Sequence, residues 1–594
     1  MPRHPTRLHP VALFVTLVTL LLPQVGRAER PSAPELLPED TLVYARVANI
    51  SETAEKFQET GFAKMFRDPQ IKPLVDQLYG EALTAFQVVE DELGLSLSDI
   101  LSIPQGELCV AVIAQSDSQP AIVAYLDVGD SMDKMNKLID RGLQELSANG
   151  GNYVSGTYRD TEILTISPTG RGRPIKLIRR DETILFATSD AAAEQILDAW
   201  DERDEERTKL IENKKFTTVM KRCVGTKDER PQITWFIDPI RVVRTVTRGN
   251  LGAAVALSML DPLGLENLEA VGGSVILSTE EFDSIGHFHV MMKQPREAIL
   301  KMIALKKVDT TPESWVPKDA SSYMTMQWEF EQTFTELSSL YDLIRLEEGA
   351  FSNLVRSRTA EPLGLDIEED LIPELAGRVT MFTRVERPAR LNSQVSAANI
   401  HFNDAASAKR ILEKLVDKFP NAFEKQSYGA NRYYRLGGVG GGNENLDASL
   451  FRQPTPVVCQ IENCIMIADS EKLLEMCFQS KGGAGESLAD DLEYKLVISR
   501  LGRQPGGSNP SMIVFSRPEE QLRVFYELAT ADSTRNQLSL AAENNPFFGR
   551  LDSALNDNPL PPFSQLAKYL APSGGIVTNE ATGIHYIAFG MKRE

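Results

Sequence analysis

The chain states one pattern twice. Pro38–Phe57 (PEDTLVYARVANISETAEKF) reads as a turn, a short apolar strand and a helix start, and Pro317–Leu337 (PKDASSYMTMQWEFEQTFTEL) repeats it. The segments downstream of each copy also recur in the same order. Leu93-Gly94-Leu95 before Ile103-Pro104 is echoed by Leu363-Gly364-Leu365 before Ile372-Pro373. Ile184–Leu197 is echoed by Cys464–Cys477, and Pro231–Pro239 by Pro510–Pro518. The offset stays at about 270–280 residues. Two like units are therefore expected, which is too few for a solenoid.

Local periodicity gives the class of each unit. Thr41–Val47 alternates with period two and is rich in β-branched and aromatic residues, so it predicts a strand. Ser131–Leu146 carries Met132, Met135, Leu138, Ile139, Leu143 and Leu146 at three- and four-residue steps, the mark of a helix with one apolar face. A long helix is expected over Pro69–Glu92, with Ser51 capping the helix before it. Asp238-Pro239 starts another helix, and Ser516 with Glu519 has capping-box spacing. The charge run Asp201–Lys215 suits an exposed helix. Strands outnumber helices and sit side by side across tight turns. The expected class is α+β: a tandem duplication of an antiparallel or mixed-sheet unit with helices packed on one face.

The boundaries come from composition. Residues 1–28 read as a signal peptide: Arg3 and Arg7, an apolar run of 12 residues at Val11–Leu22, Pro23, then Gly26-Arg27-Ala28 with cleavage after Ala28. Twelve residues fall short of the ~20 that a membrane-spanning helix needs, and no later apolar run is long enough. The first repeat spans 29–307 with a sub-boundary near 215, a linker spans 308–315, and the second repeat spans 316–594 with a sub-boundary near 490. A break in Val308–Trp315 is expected to leave two separately folded halves.

Charge and cysteines narrow the partners. There are 63 Lys and Arg against 83 Asp and Glu, a formal net charge of −20. Loss of Arg3, Arg7 and Arg27 with the leader makes it more negative. A chain of that sign repels phosphate backbones, so no nucleic acid is expected as a partner. The compartment permits disulfides. Cys459 and Cys464 flank a hairpin tip, and a four-residue loop would let them bridge.

The chemistry-bearing candidates are few. Alternation puts His287 and His289 on one strand face about 6.5–7 Å apart, but a metal site needs at least a third ligand. His401 and His585 are the other histidines of the mature chain, and the pair reads as ordinary half-buried strand residues. Gly437–Gly442 is glycine-rich but lacks the strand, helix and Lys-Ser/Thr of a phosphate loop. No Gly-x-Ser-x-Gly elbow and no Asp-x-Asp-x-Asp-Gly calcium spacing occurs. No catalytic, cofactor-binding or metal-ligating residue is assigned, and no cofactor.

The leader, the LPEDTLVYARV opening, Phe66-Arg67-Asp68-Pro69 and the Leu-Gly-Leu segment before a Gly-initiated strand resemble a domain-of-unknown-function family of large secreted bacterial proteins, abundant in planctomycete-type bacteria. The resemblance implies export and this architecture, and brings no reaction. The functional expectation is an exported, non-catalytic binding or scaffold protein of the cell envelope, with an unknown protein or envelope component as partner. The alternatives are an extracytoplasmic hydrolase with a site between the halves, and an envelope chaperone or maturation factor.

Overall fold

The computed structural model describes residues 30–593, apart from 116–118, 171, 203–206, 226–228, 438–450 and 544. The expected leader and nearly all of the glycine run lie outside the described residues.

Alternating apolar residues give ten strands in the first half: β1 (Thr41–Val47), β2 (Leu108–Ile113), β3 (Ala121–Asp127), β4 (Asn152–Tyr158), β5 (Thr161–Ser167), β6 (Ile175–Arg180), β7 (Thr183–Ala187), β8 (Ile233–Ile237), β9 (Leu268–Leu277) and β10 (Phe282–Met292). A two-residue strand, β11 (Leu305–Lys306), pairs with the end of the next one. The second half supplies β12 (Ser322–Trp328), β13 (Leu375–Val385), β14 (Gln394–Phe402), β15 (Phe423–Tyr428), β16 (Asn431–Leu436), β17 (Val457–Ile461), β18 (Cys464–Ala468), β19 (Met512–Ser516), β20 (Ser573–Glu580) and β21 (Gly583–Met591).

All join in one antiparallel sheet. Its order is β4-β5-β6-β7-β3-β2-β1-β8-β9-β10 in the first half. It continues β21-β20-β19-β12-β13-β14-β18-β17-β16-β15 in the second. The second series, read inwards from its far end, takes its strands in the same order as the first. The halves meet where β10 pairs with β21, from Phe282 opposite Met591 to Met291 opposite Gly583.

Helices cover one face of this sheet in both halves. Asp190–Trp200 and Lys214–Arg222 pack Ile196, Leu197, Phe216 and Val219 onto Tyr44, Tyr125 and Phe236. Glu471–Lys481 and Leu492–Leu501 do the same over Tyr323, Phe382 and Phe515. A smaller layer lies on the opposite face. There Met132–Ala148 rests on Val128, Leu177 and Ile184, and Ala405–Lys418 on Phe402 and Ile465. The class is α+β with a large antiparallel sheet. Among the described residues no helix is long and apolar enough to cross a membrane.

Local chemistry corrects several expectations. The helix Ile50–Gln58 is capped by Asn49, whose side chain accepts from the amide of Glu52 at 2.8 Å, so it starts ahead of Ser51. The long helix runs Lys72–Leu93 and ends on Gly94 at φ +67, a left-handed cap that glycine takes without strain. The charge run is not one helix: Leu210 is buried, and Asn213 accepts from Lys215 and Phe216 to start Lys214–Arg222. Ser516 remains in β19. The helix Pro518–Thr530 begins after Arg517 without a side-chain cap, and Glu519 is buried instead. Cys459 and Cys464 are free. Their hairpin turns on Glu462 and Asn463 alone, so Ile461 opposes Cys464 and Cys459 opposes Met466.

The expected linker is not open chain. Trp315 and Val316 are fully buried in the second half's core, and Val308 is buried as well. That core also takes Ile276, Phe282 and Ile285 from the first half. Another cluster joins Met65 and Ile71 to Phe563 and Leu566. The shared core therefore opposes separation of the halves. Trp315→Ala is expected to lower stability by about 3–5 kcal/mol, the usual range for emptying an aromatic core site. Urea unfolding measures it, and a loss under ~1 kcal/mol would contradict this packing.

Candidate functional site

The seam gathers three of the four histidines among the described residues. Alternation along β10 puts His287 and His289 on one face, and the antiparallel register sets His585 of β21 opposite His289. His287 Nδ1 and His585 Nε2 are 3.3 Å apart, and the His585 ring centroid is 5.4 Å from each of the other two. All three are buried, where half-burial was expected of His287 and His289. The other nitrogens, His287 Nε2, His585 Nδ1 and both of His289, have no aligned hydrogen-bond partner among the described residues. Arg222 and Glu580 form an ion pair beside them across the seam.

Burial disfavours the imidazolium, so all three are held neutral. Desolvation, then Arg222, brings His287 down to about 4. Desolvation brings His289 to about 4, with Glu580 acting in the opposite sense. His585 falls to about 2, from burial first and then from its two histidine neighbours. Among the described residues no group of three or more His, Cys, Asp or Glu side chains is arranged to hold a metal ion.

The fourth histidine lies in a second buried network. His401 opposes Cys464 in the sheet, with Nδ1 3.2 Å from Sγ. Its Nε2 lies 2.9 Å from Glu313 Oε1. Glu313 also meets Arg378 at 3.1 Å and accepts from Thr380 at 2.8 Å and Tyr323 at 3.1 Å. Burial alone would raise its carboxyl, but His401 and Arg378 outweigh burial and hold it below the usual range. Cys464, His401 and Glu313 thus stand in the order of a nucleophile, a base and an orienting acid. Cys464 is buried, and desolvation pushes its thiol far above the ordinary value, away from the reactive thiolate.

The matching register in the first half shows what such a network does. Asp127 opposes Thr183 as His401 opposes Cys464, and Glu107 precedes β2 where Arg378 enters β13. Arg30 reaches Glu107 at 2.5 Å and Asp127 at 2.9 Å. In one half the segment before the first strand supplies the cation and the sheet the acid. In the other the roles are exchanged, Glu313 against Arg378. Each pair fastens an entering segment to the sheet.

The open site lies elsewhere. A cleft of about 630 Å³ is formed by Pro317–Asp319, the end of β13, the helix Glu471–Lys481 and the start of Pro518–Thr530. Its charges are mostly paired: Lys318 with Glu486 at 2.9 Å, Arg384 with Asp319 at 2.8 Å, Arg517 with Asp491 at 2.9 Å. Glu519 Oε2 has no aligned partner among the described residues, and burial raises that carboxyl. Lys472 is exposed at the rim. Periodicity could not find this cleft, because its walls come from segments some 200 residues apart. No family model matches the chain, and neither a curated protein nor a solved structure does.

The seam has a titration signature. The unfolded histidines titrate near 6.5 and the folded ones lower, so below about 6.5 the unfolded chain binds more protons. Stability is full above that pH and is lost as pH falls towards about 4. The slope is up to ~1.4 kcal/mol per pH unit for each histidine. Urea midpoints are expected to drop steeply between pH 7 and pH 5, and His289→Phe to flatten the drop. Equal midpoints at both pH values would refute neutral burial.

Proposed function

We propose that the chain is an exported, non-catalytic binding protein whose docking site is the charged cleft of its second half. The observation that carries this reading is the cleft itself: open, large enough for a small ligand or peptide segment, and lined by both signs of charge. Walls of paired Lys, Arg, Asp and Glu suit a partner that offers both signs too, such as a zwitterionic peptide or envelope component. Residues 1–28 support export. The repeated sequence and the matching strand order of the halves support a duplicated scaffold, as in the secreted family the chain resembles.

Native mass spectrometry of the mature protein from its own envelope fraction tests the binding reading. A reproducible added mass is expected on the wild type. Arg387 lines the cleft as Lys472 does, and Arg387→Glu with Lys472→Glu should weaken retention at least tenfold, about 1.4 kcal/mol. Retention unchanged in that variant would move the site elsewhere. Turnover of an ester or peptide that Cys464→Ala abolishes would overturn the non-catalytic reading.

A further inference from the structure

The two outer edges of the sheet hold equivalent places in the strand order but differ in chemistry. At one end, β15 (FEKQSY) carries Glu424 and Lys425, charges of the kind that keep an edge strand from pairing with another chain. At the other, β4 (NYVSGTY) has no charged residue, no proline and no bulge against its neighbour. Asn152–Thr157 are exposed, with Val154 at 64% and Tyr153 at 47%. Among the described residues, β5 is the only strand that pairs with β4.

The turn shows which groups are free. Two residues, Arg159 (φ +51) and Asp160, join β4 to β5, which makes Tyr158 and Thr161 a hydrogen-bonded pair. Such pairs alternate in an antiparallel ladder. The N–H and C=O groups of Tyr153, Ser155 and Thr157 therefore point outward, a row of donors and acceptors that no strand takes up among the described residues.

We propose that β4 pairs antiparallel with β4 of a second copy of this chain, centred on Ser155, so that the sheet continues across a two-fold dimer. Three observations select a second copy. First, the chain already joins its own halves this way: β10 and β21, which hold equivalent places in the strand order, pair antiparallel edge to edge. Second, centring on Ser155 pairs all seven residues and places large against small, Val154 opposite Gly156 and Tyr153 opposite Thr157. Third, self-pairing brings no like charges together along the strand, whereas the rest of a chain of net charge −20 repels its copy. Added salt should accordingly strengthen the dimer by screening that repulsion.

Sedimentation equilibrium of the mature full chain over a hundredfold range of concentration tests the pairing. The expected result is a monomer–dimer transition. Ser155→Ala keeps the outward N–H and should leave it in place. Ser155→Pro removes that N–H without touching the β4–β5 ladder, and should weaken dimerisation at least tenfold. Thr157→Lys adds an edge charge at an exposed position and should do the same, with circular dichroism unchanged. A wild type monomeric throughout would overturn the proposal. So would a dimer indifferent to both Ser155→Pro and Thr157→Lys, which would place the contact on another surface.

Discussion

The pairing of β10 with β21 is the constraint on which the rest depends. It is a ladder between the last strand of each half, and it turns two sheets into one. Its end is sterically exacting. Gly583 lies at φ +142, and a Cβ there would stand 1.9 Å from Val290 O, so only glycine lets the strands approach. Contacts to either side depend on this registration. Asp68 meets Lys568 at 2.8 Å, Arg500 meets Glu281 at 2.7 Å, and Arg222 meets Glu580. A chain folded this way pools its cores, which is why Ile276, Phe282 and Ile285 count with the second half.

Buried polarity is handled in two ways. At the entry to each half, a buried Arg–carboxylate pair is completed by hydroxyl and backbone donors, as Glu313 is by Thr380 and Tyr323. Removing one partner of such a pair leaves a charge without compensation, so the pair constrains the segment that carries it. Exchange of the signs between Arg30–Glu107 and Glu313–Arg378 preserves the fastening, since only opposition of charge matters. At the seam, the histidines are buried without aligned partners at most of their nitrogens, and neutrality is what makes this tolerable. The consequence is sensitivity to acid.

The cysteines obey the same logic. Cys109, Cys223, Cys459, Cys464 and Cys477 are all buried and free, and desolvation raises each thiol, Cys223 and Cys459 to about 12. They behave as small apolar residues rather than as reactive groups. The cleft beside the helix Glu471–Lys481 keeps charged pairs such as Lys318–Glu486 accessible to solvent.

Much of the local structure was legible in the chain. Period-two alternation located β1, and the three- and four-residue spacing of Met132 to Leu146 located its helix, because side-chain direction is set by backbone geometry alone. Asp238 before Pro239 marked a helix start for the same local reason, and its carboxylate accepts from Arg241 at 3.1 Å. Alternation also placed His287 and His289 on one face. It could not bring His585 to them, nor make them buried, because that needs the register of two strands nearly 300 residues apart. The linker, the cleft and the Glu313 network depend likewise on long-range packing. Only tertiary structure decided them: burial is a property of what covers a residue, and the covering segments are distant in sequence.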